Sequence, residues 1–129
     1  MRLFVVDQAD WRELTGGGQQ TVRVAAADLQ QARRARDRIR AADDVAVILD
    51  VAVSVAADYR SARRALGGEP GGASVQYAGT VDGLAGLLTD IEVAGVADGV
   101  TLISAAPRQD LQKLGRDVLE RMASRAQAC

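Results

Sequence analysis

The chain reads as an α/β protein with a parallel sheet built from about four strand–helix units. Three observations predict this. First, the stretch Ser74–Ser104 holds a short extended run ending in Gly79, a helix opening at Thr80, and an apolar strand over Val100–Ser104. Within that helix Val81, Leu84, Leu87, Leu88 and Ile91 recur at three- and four-residue spacing, and Gly95 and Gly99 mark the turn that follows. Strand, capped helix and strand form the crossover unit that parallel pairing requires. Second, the run Val45–Ala56 is largely apolar on both faces, as in a strand covered on both sides. Third, the same alternation of strand and helix extends along the whole chain without a repeat of sequence.

In order, Leu3–Val6 is a strand that opens almost at the first residue, which reads as a half-unit or as a truncated relative of something longer. Ala9–Leu14 has room for one or two helical turns, ended by Gly16–Gly18. The triple glycine has no following Lys-Ser/Thr and no GxGxxG frame, so a flexible connection is preferred to a phosphate-cradling loop. Thr21–Ala26 alternates as a strand. Asp28 then caps a helix from Leu29 to about Ala41 with Leu29, Ala32, Ala35 and Ile39 on one face. The five arginines of that helix, Arg33, Arg34, Arg36, Arg38 and Arg40, are read as a solvated outer face. Asp37, Asp43 and Asp44 dilute the charge, and no aromatic side chain is interleaved for base stacking.

Along Val45–Ala56 the odd positions carry Val45, Val47, Leu49, Val51, Val53 and Val55, a bulky face suited to helix packing. The even positions carry Ala46, Ile48, Asp50, Ala52 and Ser54, a smaller and partly polar face suited to a crowded interior. Parity places Arg23 on the face of Thr21 and Ala25. If that is the interior face, Arg23 and Asp50 are expected to pair, because a lone buried charge is costly. Asp58–Leu66 is a short helix stopped by Gly67-Gly68, and Glu69–Ala73 is a loop. Pro107 is expected as the first residue of a final helix whose stripe is Leu111, Leu114, Val118, Leu119 and Met122.

Composition excludes several classes. With 129 residues one domain is expected. A formal charge of −1 argues against a polyanion binder, so no nucleic-acid partner is expected. The absence of histidine rules out imidazole bases, Ser–His and Cys–His dyads and His-based metal sites. Cys129 alone makes no internal disulfide and reads as an exposed thiol. The longest apolar run, Val45–Ala57, is broken by Asp50 and falls short of the roughly 20 residues of a membrane span. A cytoplasmic protein with no membrane partner is therefore expected.

The segment YAGTVDGLAGLLTDIEVAGVADGVTLI, followed by PRQDLQKLGRDVLERM, resembles the C-terminal part of the bacterial-luciferase-like flavin-dependent monooxygenases. Phe4–Asp7, Thr21–Ala26 with its arginine-rich helix, and VAVILDVAVSVA follow the family more loosely but in the same order. The family fold is a (β/α)8 barrel, which takes about 250 residues. The resemblance therefore implies half of a TIM-like barrel in a single domain over residues 1–129, with nothing corresponding to the family's first four strands. The helix expected after the first strand is replaced by the glycine-rich Ala9–Gln20.

Such a half-barrel would expose edge strands at Leu3–Val6 and Val100–Ser104, so closure by a second copy, as a homodimer, or by a complementary half-barrel chain is expected. Barrel chemistry sits at the C-terminal ends of strands. The cofactor-binding positions implied are Asp7, Gln8, Gly79, Thr80, Ser104 and Arg108. The amides of Gly79–Asp82 would face the phosphate of a flavin, FMN or a deazaflavin, or else Thr80 serves only as a helix cap. Arg108 would neutralise that phosphate, or else simply face solvent. Asp7 would bond a ligand, or else cap the next turn. The resemblance implies a flavin-dependent oxidoreductase or monooxygenase whose reactivity comes from the cofactor. The alternative is a non-catalytic subunit of the same fold. A flavodoxin-like domain is disfavoured, because no phosphate loop follows the first strand.

Overall fold

The computed structural model describes residues 1–7, 10–66 and 75–127. Among the described residues the elements run β1 (Arg2–Asp7), β2 (Asp10–Glu13), β3 (Thr21–Val24), α1 (Leu29–Ala42), β4 (Ala46–Val55), α2 (Tyr59–Ala65), β5 (Val75–Gly79), α3 (Val81–Val93), β6 (Gly99–Ser104) and α4 (Leu111–Gln127). The α/β class holds, and every strand pair but one is parallel. The sheet is mixed rather than purely parallel, and among the described residues it has six strands. The Glu69–Ala73 loop and Cys129 lie outside the described residues.

The antiparallel pair arises where helical turns were expected. Asp10–Glu13 is β2, paired with β1 from Phe4↔Glu13 to Asp7↔Asp10. Four residues are too few to offset helix nucleation, whereas an open strand beside them satisfies their backbone at once. Trp11 reinforces the choice. Its ring stacks on Phe4 with centroids 4.4 Å apart, and its indole N–H donates to Thr101 Oγ1 at 2.8 Å. The glycine turn beyond β2 is held by Arg2, which forks onto Glu13 at 2.7 and 2.8 Å and donates to the Gln19 carbonyl at 2.8 Å.

Strand order runs β2-β1-β6-β4-β3, with β5 also on β4. The ten-residue β4 serves two neighbours along one edge, β3 at Ala46–Leu49 and β5 at Val51–Val55. Its other edge pairs with β6 over Ile48–Val53, and β6 pairs in turn with β1. The edges expected at Leu3–Val6 and Val100–Ser104 are therefore interior, because these two strands pair with each other. The exposed flanks belong to β2 on one side and to β3 and β5 on the other. Gly99 makes this insertion feasible. A Cβ there would lie 2.5 Å from the Arg2 carbonyl oxygen and 2.8 Å from Ile48 Cδ1.

The odd face of β4 packs on helices, as its valines predict. Leu49, Val51 and Val53 join Leu3, Val5, Val100 and Leu102 under Leu84, Leu88 and Ile91 of α3 and Leu111, Leu114 and Val118 of α4. The even face is the smaller and more polar one. There Arg23 Nε donates to Asp50 at 2.7 Å, the pairing that parity suggested. The same guanidinium lies 5.9 Å from the ring centre of Trp11. β2 and β3 are four strand spacings apart, roughly 19 Å in a flat sheet. Their side chains meet because the sheet curls with this face inward. α2 closes one end of it, where the buried Ser54 hydroxyl donates to the Ala62 carbonyl at 2.6 Å.

The helices start and stop where local chemistry dictates. Asp28 caps α1 by accepting from the Gln31 amide at 2.8 Å, and Asp58 caps α2 by accepting from Ser61. α3 ends with Gly95 at φ +69°, where the amides of Gly95 and Val96 reach back to the carbonyls of Glu92 and Ile91. Pro107 does not open the final helix. α4 begins at Leu111 because Asp110 accepts from the Lys113 amide at 3.1 Å and fixes the first turn there.

Asp98, just before β6, joins three elements. One carboxylate oxygen accepts from Arg36 and Arg40 of α1 at 3.0–3.2 Å, and the other accepts from the Val47 amide at 2.8 Å. Partial burial pushes the carboxyl upward, but the Arg36 hydrogen bonds, the Val47 amide and the two guanidinium charges outweigh it and hold it below the ordinary value of 3.8. A depressed folded value means that the stabilisation is fully present above the unfolded pKa and is lost as pH falls through the folded one, below about pH 4. Asp98→Asn should therefore cost about 1–3 kcal/mol at pH 7 and shrink the loss of stability between pH 5 and pH 2, read by urea unfolding across pH. Gly99→Ala should cost about 1–3 kcal/mol in the same assay, because the strand backbone must shift. Unfolding indistinguishable from wild type would contradict the close approach.

Candidate functional site

With β4, β5 and β6 parallel, their C-terminal ends and the starts of α3 and α4 lie at one pole of the sheet. Two adjoining hollows open there. One of about 390 Å³ is lined by Val55, Ala56, Ala57 and Val81 on its apolar side and by Arg108, Gln109, Asp110, Lys113 and Asp117 on its polar side. The other, of about 230 Å³, shares Ala56, Ala57 and Val81 and adds Thr80, Asp82 and Arg121.

The floor is built by the β6–α4 connection. Gln109 is its clamp. Its amide nitrogen donates to the Val53 carbonyl at 2.9 Å and to Ser104 Oγ at 3.0 Å, while its amide oxygen accepts from the Val55 N–H at 2.8 Å. The side chain thus continues the ladder at the end of β4 and ties it to β6. Arg108, the residue before it, sits at φ +60°, the only non-glycine in the left-handed region among the described residues. That conformation costs a non-glycine residue about 1 kcal/mol or more, and such outliers concentrate at functional sites. The Arg108 side chain is exposed and makes no hydrogen bond or ion pair among the described residues. The carboxylates around it are committed. Asp117 pairs with Lys113 at 2.9 Å, Asp82 pairs with Arg121, and Asp110 caps α4.

The second wall is the β5–α3 turn. Thr80 Oγ1 accepts from the Gly83 amide at 3.2 Å, so the threonine acts as the cap of α3. The half-buried Tyr77 hydroxyl donates to the Thr80 carbonyl at 2.8 Å. Burial pushes the phenol above its ordinary pKa. Two glycines make room for that hydroxyl: a Cβ at Gly79 would lie 2.5 Å from it, and one at Gly83 would lie closer still.

The residues singled out in the sequence divide accordingly. Thr80 and Arg108 line the paired hollows. Gly79 lies beneath them, buried at the end of β5, and its carbonyl accepts from the Ala56 amide at 3.0 Å. Ser104 stands behind Gln109 and donates to the Ala106 carbonyl at 2.6 Å, so its hydroxyl is spent within the turn. Asp7 ends β1 opposite Asp10 and is separated from β4 by β6, away from the cleft lining. Gln8 lies outside the described residues. Sequence reasoning missed Gln109, Lys113, Asp117 and the Asp82–Arg121 pair. The last joins residues 39 apart on two helices, a contact that no local spacing signals.

No family model matches the chain, and a search of curated proteins returns no match.

The Tyr77 geometry sets a sign. Gly83→Ala should cost about 1–2 kcal/mol with the hydroxyl present, although alanine is the better helix former. In a Tyr77→Phe background the same change should cost less than about 0.5 kcal/mol. A double-mutant cycle by chemical denaturation reads the coupling, and additive changes would refute the packing described.

Proposed function

We propose that the domain binds a phosphate-bearing flavin, FMN or a deazaflavin, in the cleft at the C-terminal ends of β4 and β5, as part of a luciferase-like oxidoreductase. The observation that carries this reading is Arg108, a guanidinium with no partner among the described residues, held in an unfavourable backbone conformation beside an apolar wall. A guanidinium matches a phosphate through two parallel N–H···O bonds. The cleft volume falls within the range of small-ligand pockets, and Val55, Ala56, Ala57 and Val81 offer an apolar surface for a ring system. Thr80 stands at the neighbouring hollow. The bound flavin would supply hydride and oxygen chemistry. The chain's own part is to hold the phosphate and to shield one side of the ring. The remaining walls of the pocket would come from a second copy of the chain or from a complementary half-barrel.

One observation favours a second reading, in which the fold binds without turning over. Each cleft carboxylate is ion-paired or used as a cap, and the chain has no histidine, so an uncommitted proton carrier is lacking among the described lining residues.

Titration of the chain with FMN and with riboflavin, followed by visible absorbance and by light scattering, tests the proposal. FMN should bind with a spectral shift at a dimeric mass. Riboflavin, which lacks the phosphate, should bind about tenfold or more weakly, and Arg108→Ala should bring FMN down to the riboflavin level. Equal affinity for both ligands, no binding of either, or a monodisperse monomer when saturated would refute it. A bound flavin that no reductant turns over would select the second reading.

A further inference from the structure

Four of the five arginines of α1 fall into two pairs with different surroundings. Arg36 and Arg40 turn toward Asp98 and are consumed there. Arg34 and Arg38 turn the other way, into a separate hollow of about 310 Å³ at the C-terminal end of β3, lined by Ala25, Ala26, Gln31, Arg34, Ala35 and Arg38. Neither guanidinium makes an ion pair or hydrogen bond among the described residues, and no carboxylate lines the hollow. Gln31 spends its side-chain oxygen on the Ala27 amide at 3.3 Å. Its amide nitrogen makes no bond among the described residues, which leaves it as a further donor beside the two cations. Like charges four residues apart on a helix repel and lower its stability. Stability alone therefore gives no reason to bring two unpaired guanidiniums and an amide donor to one concavity, whereas an anion bound between them would.

We infer that this hollow is a second anion site, and that it takes the phosphate of a phosphate monoester. Arg34 and Arg38 would clasp the dianion and Gln31 would donate to it. The small side chains Ala25, Ala26 and Ala35 leave room for the organic group that carries the phosphate. The site shares no lining residue with the Arg108 cleft and stands independently of the flavin reading.

Inorganic phosphate titrated into the ¹⁵N-labelled full chain, at ionic strength held constant with chloride, tests it. Saturable shifts should appear at the amides of residues 25–31 and at the side-chain N–H groups of Arg34 and Arg38. Glycerol 3-phosphate should bind at least as tightly as phosphate. Arg34→Ala/Arg38→Ala should weaken binding about tenfold or more, and Arg34→Lys/Arg38→Lys should recover only part of it, because lysine keeps the charge and loses the fork. Arg108→Ala should leave these shifts unchanged. Shifts that grow linearly without saturation, shifts that persist in Arg34→Ala/Arg38→Ala, full recovery by lysine, or weaker binding of the monoester would each overturn the assignment.

Discussion

The architecture depends on one close approach, the seating of β6 between β1 and β4. A strand with neighbours on both edges must fit its backbone and side chains between them, and Gly99 is where the clearance vanishes. Once β6 is seated, Val100 and Leu102 are fully buried, β1 is drawn into the sheet interior, and β2 can close over its far edge. Asp98, one residue earlier, adds direction to the packing, since its carboxylate binds α1 and the β4 backbone together. The two residues act as a unit: the glycine supplies the space and the aspartate fixes which helix lies beside it.

The polar interior of the curl follows from the same placement. With β6 central, Thr101 sits between Phe4 and Asp50 in register, and Trp11 reaches it from β2. The ring is covered by Phe4 on one side and approached by Arg23 on the other, which itself answers Asp50. The concave face is thus filled by side chains drawn from five strands. Among the described residues, hollows open instead at the pole where β4 and β5 end and beyond β3.

Much of this was legible in the sequence, for identifiable reasons. Periodicity located α1, α3 and α4, because the apolar faces of those helices are what the core buries. Parity along β4 separated its helix-packed face from its polar one and anticipated the Arg23–Asp50 pair. The caps at Asp28 and Thr80 follow from side chains that act within three residues. What escaped is non-local. Asp10–Glu13 has no strong propensity of its own and becomes a strand only because β1 offers an edge and Phe4 a stacking partner. Strand order is invisible to periodicity, so the interior position of Leu3–Val6 and Val100–Ser104 was missed. Pro107 promised a helix start, but Asp110 is the better cap and moved it. Of the residues that line the candidate cleft, Thr80 and Arg108 are among the strand-end positions the sequence offers. Gln109 gave no signal, because its role is to bond the backbone of a strand more than fifty residues away.

Both the cleft and the polar curl therefore rest on strand order, and interstrand NOEs measure that order most directly. β6 should show backbone contacts to both sides, Thr101 to Phe4 and Thr101 to Asp50. Contacts between β1 and β3, such as Leu3 to Val22, with none between β1 and β6, would mean that the strands lie in chain order around an arc. The central seating of β6, and everything built on it, would then be wrong.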